Sequence, residues 1–280
     1  MLTETTIYWI NLFSTFGWVL LIPMLEKVLY IYPQPFLREG LTNDFICTYQ
    51  NFVFQFLALA SQPIILEALL AASLVGYFFP APTGGSFLQG SLANQPIAVN
   101  FIVLVFTGEI TFYVVHYFFH VVPALWEFHR VHHSSVVLDS LSTSRFHILE
   151  RIAFSFPNVV CMIYLGATVE AMAVYFFFRS FMDRYIHSNL NGPRWAHKLM
   201  ISSPYFHRWH HATTPEAINK NFSGDFIFMD RIFGTAYDPD PEKTPLPKEF
   251  GDPLYSHDFI VQQITPFICL YRRYFKKNAI

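Results

Sequence analysis

Three short segments concentrate histidine: His116 and His120 in HYFFH, His129, His132 and His133 in HRVHH, and His207, His210 and His211 in HRWHH. Helical spacings of three and four put side chains on one face, roughly 5–6 Å apart. Two imidazoles of one motif can therefore reach one metal ion. Within each HxxHH the last histidine lies about 100° further round than the one before it and can reach a second ion. A lone histidine is ordinarily a hydrogen-bonded polar residue, and the HxxxH pair by itself reads the same way. Eight clustered imidazoles exceed what one ion needs, which points to a two-metal site gathered from three segments. Neutral imidazole binds zinc, iron, copper and nickel alike. Structural zinc usually takes four ligands, often thiolates, and Cys47, Cys161 and Cys269 lie far apart in apolar contexts. They read as packing residues rather than a disulfide framework. No HExxH supplies a peptidase base, and no Glu-x-x-His pair marks a carboxylate di-iron bundle. A nitrogen-ligated metal pair suited to O2 activation remains, although ligand type alone does not separate iron from zinc or copper.

The elements that must position these histidines are apolar. Hydrophobic residues make up 53% of the 280 positions and charged residues 14%, against roughly 25% charged in a typical soluble domain. With 32 Phe, this composition is that of a membrane protein. Residues 7–31 form an apolar run of about 25, enough to span a ~30 Å hydrocarbon core. Glu26 and Lys27 stand near its end, where snorkelling is cheap. The start MLTETT lacks a basic n-region, so this run is expected to stay as an anchor. Residues 45–79 read as one long kinked helix or a re-entrant pair, divided at Gln62-Pro63, and uncharged 80–96 as an outer loop. A span over 97–120 then ends on His116 and His120, and 121–151 is polar and histidine-bearing. Residues 152–182 are apolar again. Because histidine clusters flank them on both sides, they should enter and leave the membrane on one face, as a hairpin. From 183 to 280 the chain is mixed and soluble-looking. Only Lys27 and Arg38 of the 18 basic residues precede position 120, so the positive-inside rule makes the C-terminal half cytoplasmic. The fold class expected is an all-α integral membrane protein. It has four to five transmembrane or re-entrant helices and a cytoplasmic helical cap carrying a histidine-ligated dimetal site.

HYFFH, HRVHH and HRWHH, in this order at the edges of apolar spans, resemble the fatty acid hydroxylase/sterol desaturase superfamily. LWEFHRVHHSS, RFHILE, DRYIHSN and NFSGDFIFMDRIFGT resemble it too. The likeness covers about 105–237 and extends weakly to PLYSHDFIVQQITPF. The resemblance implies membrane enzymes with a non-haem di-iron centre that use O2 and two electrons to hydroxylate or desaturate sterols or fatty acyl chains. Carried over by position, the metal-binding and catalytic residues would be His116, His120, His129, His132, His133, His187, His207, His210 and His211. His187 gains its place only from the family, which has a histidine after the last span. His147 in RFHILE matches a histidine of the sterol-directed branches, as a ligand or as a support for one. Some fatty acid hydroxylases carry a further histidine where this chain has Asp183. That residue either accepts an imidazole N–H or is a helix-end charge, and the departure leads away from the sphingolipid 2-hydroxylase branch. The chain divides accordingly into anchor helices and outer loop over 1–96 and a hydroxylase/desaturase domain over 97–280.

Other residues have competing readings. Glu109 lies inside a span, where ionisable groups are expensive and often functional: it faces the metal cavity or pairs with Arg179. Asp225 and Asp230 either support the site or form a fold-stabilising pair with Arg231. Trp126, Phe128 and Trp209 line a lipid channel or anchor at the interface. His197 and His257 match no motif and read as structural. No GxGxxG fingerprint occurs and no haem domain is appended, so electrons would come from cytochrome b5, a ferredoxin or a separate reductase. No basic run suggests nucleic acid. The site would face the cytoplasm from the endoplasmic reticulum of a eukaryote or the inner membrane of a bacterium. KKNAI resembles a dilysine retrieval signal, but its lysines are out of register. A lipid-cleaving or aldehyde-processing relative with the same metal pair is an alternative. So is a haem-binding electron carrier, which would need histidines on facing spans near mid-membrane.

Overall fold

A computed structural model describes residues 16–35, 37–51, 53, 90–192, 200–240, 243–252 and 255–276. The kinked or re-entrant element expected over 45–79 falls largely outside them, as do residues 1–15, most of the outer loop and His197. Among the described residues the fold is all-helical. Extended pairing is limited to isolated bridges such as Tyr30 with Leu190 and Ile201 with Phe226. The helices are α1 (Phe16–Glu26), α2 (41–51), α3 (Ile97–Val121), α4 (Pro123–His129), α5 (Ile148–Leu165), α6 (Val169–His187), α7 (Pro204–His211), α8 (Phe228–Phe233) and α9 (Phe259–Phe275).

Two of these, α3 and α5, are long and apolar enough to cross a membrane. Along α3 the buried positions Asn100, Leu104, Gly108 and His116 fall on one stripe. The opposite face exposes Ile102, Phe106, Ile110 and Val114, an apolar surface suited to lipid. Packing against α6 is close because position 108 is glycine: a Cβ there would lie 2.1 Å from the buried Tyr175 hydroxyl. At the end of α3 remote from the histidines, Asn100 donates to the carbonyls of Leu92 and Gln95 and accepts from Thr168 N–H. That amide ties the segment before α3 to the α5–α6 turn.

Helices α5 and α6 follow one another across a short turn, over Ile148–Leu165 and Val169–His187, and Asn158 of the first donates to the Tyr175 hydroxyl of the second at 3.0 Å. Gly166 closes α5 in the left-handed conformation at φ +67°, which glycine adopts without a Cβ penalty. Thr168 caps α6 by accepting from Ala171 N–H. The second helix is not apolar enough to count as a span. It carries Arg179, Asp183 and Arg184 in its last turns, where it packs on the cap.

The N-terminal helix corrects one expectation. Helix α1 ends at Glu26, and this carboxylate does not snorkel. It is buried and accepts from Ser140 N–H at 2.9 Å, Ser140 Oγ at 2.8 Å and Asn189 N–H at 2.7 Å. Glu26 thus joins α1 to the chain just beyond His133 and His187. Beside it, Trp18 packs on Phe177 and Phe181 of α6.

Candidate metal centre

Each histidine is placed by a local device. Pro123, at the first position of α4, favours a helix start there. The chain thus turns after α3 and brings His129 back towards His116 and His120. A 3-10 turn over His132–Ser134 follows. Helix α7 begins at Pro204 and is capped by Ser203 Oγ, which accepts from Phe206 N–H; such caps contribute ~1 kcal/mol. All eight residues of α7 are buried.

The imidazoles gather in two groups. His116, His120, His129, His133 and His210 offer ring nitrogens within 4.8 Å of one another, and so do His132, His187, His207 and His211. The two HxxHH motifs divide reciprocally. His129 and His133 enter the five-histidine group and His132 the other; His207 and His211 enter the four-histidine group and His210 the other. The diverging histidine is therefore the middle one of each motif, not the last as expected. At about 100° per residue, positions i and i+4 lie only ~40° apart, whereas i+3 falls ~60° to the opposite side.

The ring nitrogens show what this geometry accommodates. Carbonyl oxygens can only accept, so His116 Nδ1 donates to Phe222 O at 2.7 Å, His187 Nδ1 to Asp183 O at 2.7 Å, His210 Nδ1 to Lys220 O at 2.8 Å and His132 Nδ1 to Arg145 O at 3.3 Å. His129 Nδ1 donates to the buried Glu150 carboxylate at 2.5 Å. In each ring the Nε2 lone pair is left bare. Yet His116 Nε2 lies 3.1 Å from His129 Nε2, and His132 Nε2 lies 3.1 Å from His187 Nε2. Two lone pairs facing at that distance repel unless a cation stands between them. Nitrogens at right angles on a metal ~2.1–2.2 Å away are ~3.0–3.1 Å apart. The buried Nε2 atoms of His120 and His210 have no hydrogen-bond partner. The donor set thus fits a metal ion at each group. Burial, reinforced by neighbouring rings, holds His129, His132, His133, His207 and His211 well below the usual imidazole range. Burial lowers His187 and His210 to about 4. The neutral, ligating form therefore prevails at physiological pH.

The supporting residues differ in part from those anticipated. Glu109 accepts from Gly224 N–H at 3.0 Å and Asp225 N–H at 2.7 Å instead of facing the metal cavity. Asp230 likewise grips Phe222 N–H and Ser223 N–H, both at 2.8 Å. These two carboxylates fix the 222–225 loop, whose Phe222 carbonyl orients His116. The expected pair with Arg231 is not formed. Asp225 pairs with Arg179, and Asp230 is taken up by main-chain amides because its helix starts directly under the loop. Asp183 orients His187 through its carbonyl, while its carboxylate pairs with Arg179 at 2.6 Å. His147 stands outside both groups. It caps α5, its Nδ1 accepting from Leu149 N–H, and its Nε2 meets Gln263 O. His257 lies between Arg145 and Glu39. Trp126 packs on His120 and His133, Phe128 on His147 and Phe267, and Trp209 is buried with Ala212 and Ala217. Sequence reasoning missed Glu150. Its signal was a carboxylate in RFHILE at the head of an apolar helix, three residues after the histidine that drew notice.

The fatty acid hydroxylase family profile matches residues 101–235. The chain is 26% identical over 144 residues to ornithine lipid hydroxylase OlsE of Rhizobium tropici, covering 51% of this chain and 44% of that protein. It is 31% identical over 141 residues to alkylglycerol monooxygenase of Danio rerio, covering 50% and 31%. To very-long-chain aldehyde decarbonylase GL1-5 of Oryza sativa subsp. indica it is 28% identical over 119 residues, covering 39% and 18%. The matched region thus spans less than half the length of each of these relatives. No solved structure matches. All nine clustered histidines lie between positions 101 and 235, inside the segment that matches the fatty acid hydroxylase family.

Proposed function

We propose that this protein is an integral membrane oxidoreductase. It would use O2 and externally supplied electrons to hydroxylate or desaturate a sterol-like or fatty acyl lipid at a histidine-held pair of irons. The observation that carries this reading is the convergence of bare Nε2 lone pairs, 3.1 Å apart, in two adjoining groups. His116, His120, His129, His133 and His210 would hold one ion, and His132, His187, His207 and His211 the other. A non-haem iron pair supplies O2 activation strong enough to break an unactivated lipid C–H bond.

The protein's own residues do the rest. Nine neutral imidazoles add no negative charge to the ions, which keeps them electron-poor. The carbonyls of Phe222, Lys220, Asp183 and Arg145 and the Glu150 carboxylate hold ring orientation. Such supports typically change metal affinity by ~10–100-fold. Phe154 and Phe222 pack against His116, and Phe146 stacks on His132; these rings keep water from the reacting groups. We place the site on the cytoplasmic face, in the endoplasmic reticulum or a bacterial inner membrane. Lipid would enter from the bilayer, and cytochrome b5, a ferredoxin or a reductase would deliver electrons from the soluble side.

The haem alternative lacks support. Bis-histidine haem ligation needs Nε2 atoms ~4 Å apart across a flat gap, twice an ordinary metal–nitrogen distance, whereas here they crowd in groups of four and five. The test is to load the purified protein anaerobically with ferrous iron, add reductant and isotopically labelled O2, and analyse extracted lipids offered as sterol, acyl and ether-lipid pools. Labelled oxygen in one pool, or a new double bond, is the expected result. An iron-loaded protein that consumes no O2 with any pool, or that releases an aldehyde-shortened product instead, contradicts it.

A further inference from the structure

Helix α9, Phe259–Phe275, presents a stripe the metal centre does not explain. Ile260, Ile264, Phe267, Ile268, Tyr271 and Phe275 are all exposed, from 44% for Ile268 to 78% for Phe275. Their spacing of three and four places them along one side of the helix. The other side is fixed. Gln262 is fully buried; it donates to Ser134 Oγ and Ser256 O and accepts from Asn43. Gln263 accepts from Ile148 N–H and donates to Phe146 O, while its carbonyl meets His147 Nε2. The helix is therefore held rigidly with its apolar side outward. This segment read as part of a water-facing cap from composition, because two Arg and the Gln pair dilute its hydropathy.

We infer that α9 lies in the membrane–water interface, with its apolar stripe in the acyl region and its basic end on anionic headgroups. Two observations favour a lipid surface over another occupant. The first is continuity. Gln263 is bonded to the first residue of α5, and Ile148, Leu149 and Ile152 of that candidate span are themselves exposed. One apolar surface thus runs from the span onto α9. The second is charge. The helix has no acidic residue, and Arg272, Arg273 and Lys276 gather at its C-terminal end, with Arg273 anchored on Glu127 at 2.7 Å. An exposed apolar face with cations beside it is the pattern of helices lying in an interface plane. At 17 residues, or ~25 Å, and with two arginines, α9 is not a span. Through Gln262 and Ser134 it connects the lipid surface to the turn bearing His132 and His133.

The inference rests on α3 and α5 crossing a membrane, so the test includes them as internal standards. The full chain is placed in nanodiscs of phosphatidylcholine and phosphatidylglycerol containing a diazirine-bearing phospholipid, irradiated, and mapped by mass spectrometry. Adducts are expected on α3, α5 and the exposed side of α9, with the 236–240 loop as background. The surface variant Ile264→Asp/Ile268→Asp should lose about tenfold of the α9 labelling while α3 and α5 keep theirs. Labelling of α3 and α5 without α9 overturns the inference alone, as do cross-links from α9 to a second copy of the chain. Absence of labelling from all three overturns the spanning reading as well.

Discussion

The two histidine groups differ in number, origin and support. The five-histidine group draws His116 and His120 from the end of a candidate span, and one of its rings, His129, is held by a carboxylate. The four-histidine group takes no ring from a candidate span. Of its rings, His132 and His187 donate to main-chain carbonyls, and His207 Nδ1 is buried with no hydrogen-bond partner. A carboxylate on the far ring nitrogen makes the imidazole a stronger donor than a carbonyl does. An ion in the first group would therefore be held tightly and nearly saturated by protein. One in the second would be held by fewer, weaker-donating rings and keep more open positions. Two copies of one motif, HxxHH, thus do not make two equivalent sites: the surrounding loops decide.

The largest effect should come from losing a ring. His132→Ala and His116→Ala should each lower lipid oxidation by more than ~100-fold, above the range for lost supports, as read by product formation. Retention of activity in either would break the assignment of both groups to one reaction. Next, Glu150→Ala should weaken metal binding by ~10–100-fold at the five-histidine group only, in competition titrations against a chelator. Equal weakening at both groups would erase the distinction drawn between them.

Asp230→Ala frees two buried amides under Phe222 and should cost ~1–3 kcal/mol, seen as a lower Tm, together with looser binding at the five-histidine group. The acid response of the metal-free protein follows from burial. His187 and His210 titrate at about 4 when folded, against ~6.5 in an unfolded chain. Between these values the unfolded chain binds more protons, so stability rises with pH there and falls as pH drops from 6.5 towards 4. Melting curves at successive pH values should show Tm falling through that window. Smallest is Asp183→Asn. The carbonyl that orients His187 is untouched and the carboxylate pair with Arg179 is partly exposed, so the change in stability should stay below ~1 kcal/mol.

Much of the centre was legible because it is written in side chains at helical spacing. The three motifs marked eight rings, and the family resemblance added His187. The partition within HxxHH was legible in principle, since it follows from 100° per residue, yet it turns on a 20° difference in angular offset. The supports were not legible. A carbonyl at 145, 183, 220 or 222 belongs to any residue type, and its role depends on where a distant loop comes to rest. Glu26 was expected to snorkel, Glu109 to face the metal cavity or pair with Arg179, and Asp230 to support the site or pair with Arg231, whereas all three grip main-chain amides. Acidic residues in an apolar sequence suggest ion pairs, but irregular loops packed on helices leave many N–H groups to satisfy.

The central claim is that each histidine group holds its own ion, and counting metal tests it most directly. The protein would be purified anaerobically with iron, and metal per chain measured for the parent, for His116→Ala and for His207→Ala. About two irons per chain are expected in the parent and about one in each variant, with chelator titration showing the tighter ion surviving in His207→Ala. One iron in the parent, a haem spectrum, or loss of both ions from either variant with the fold intact would contradict it.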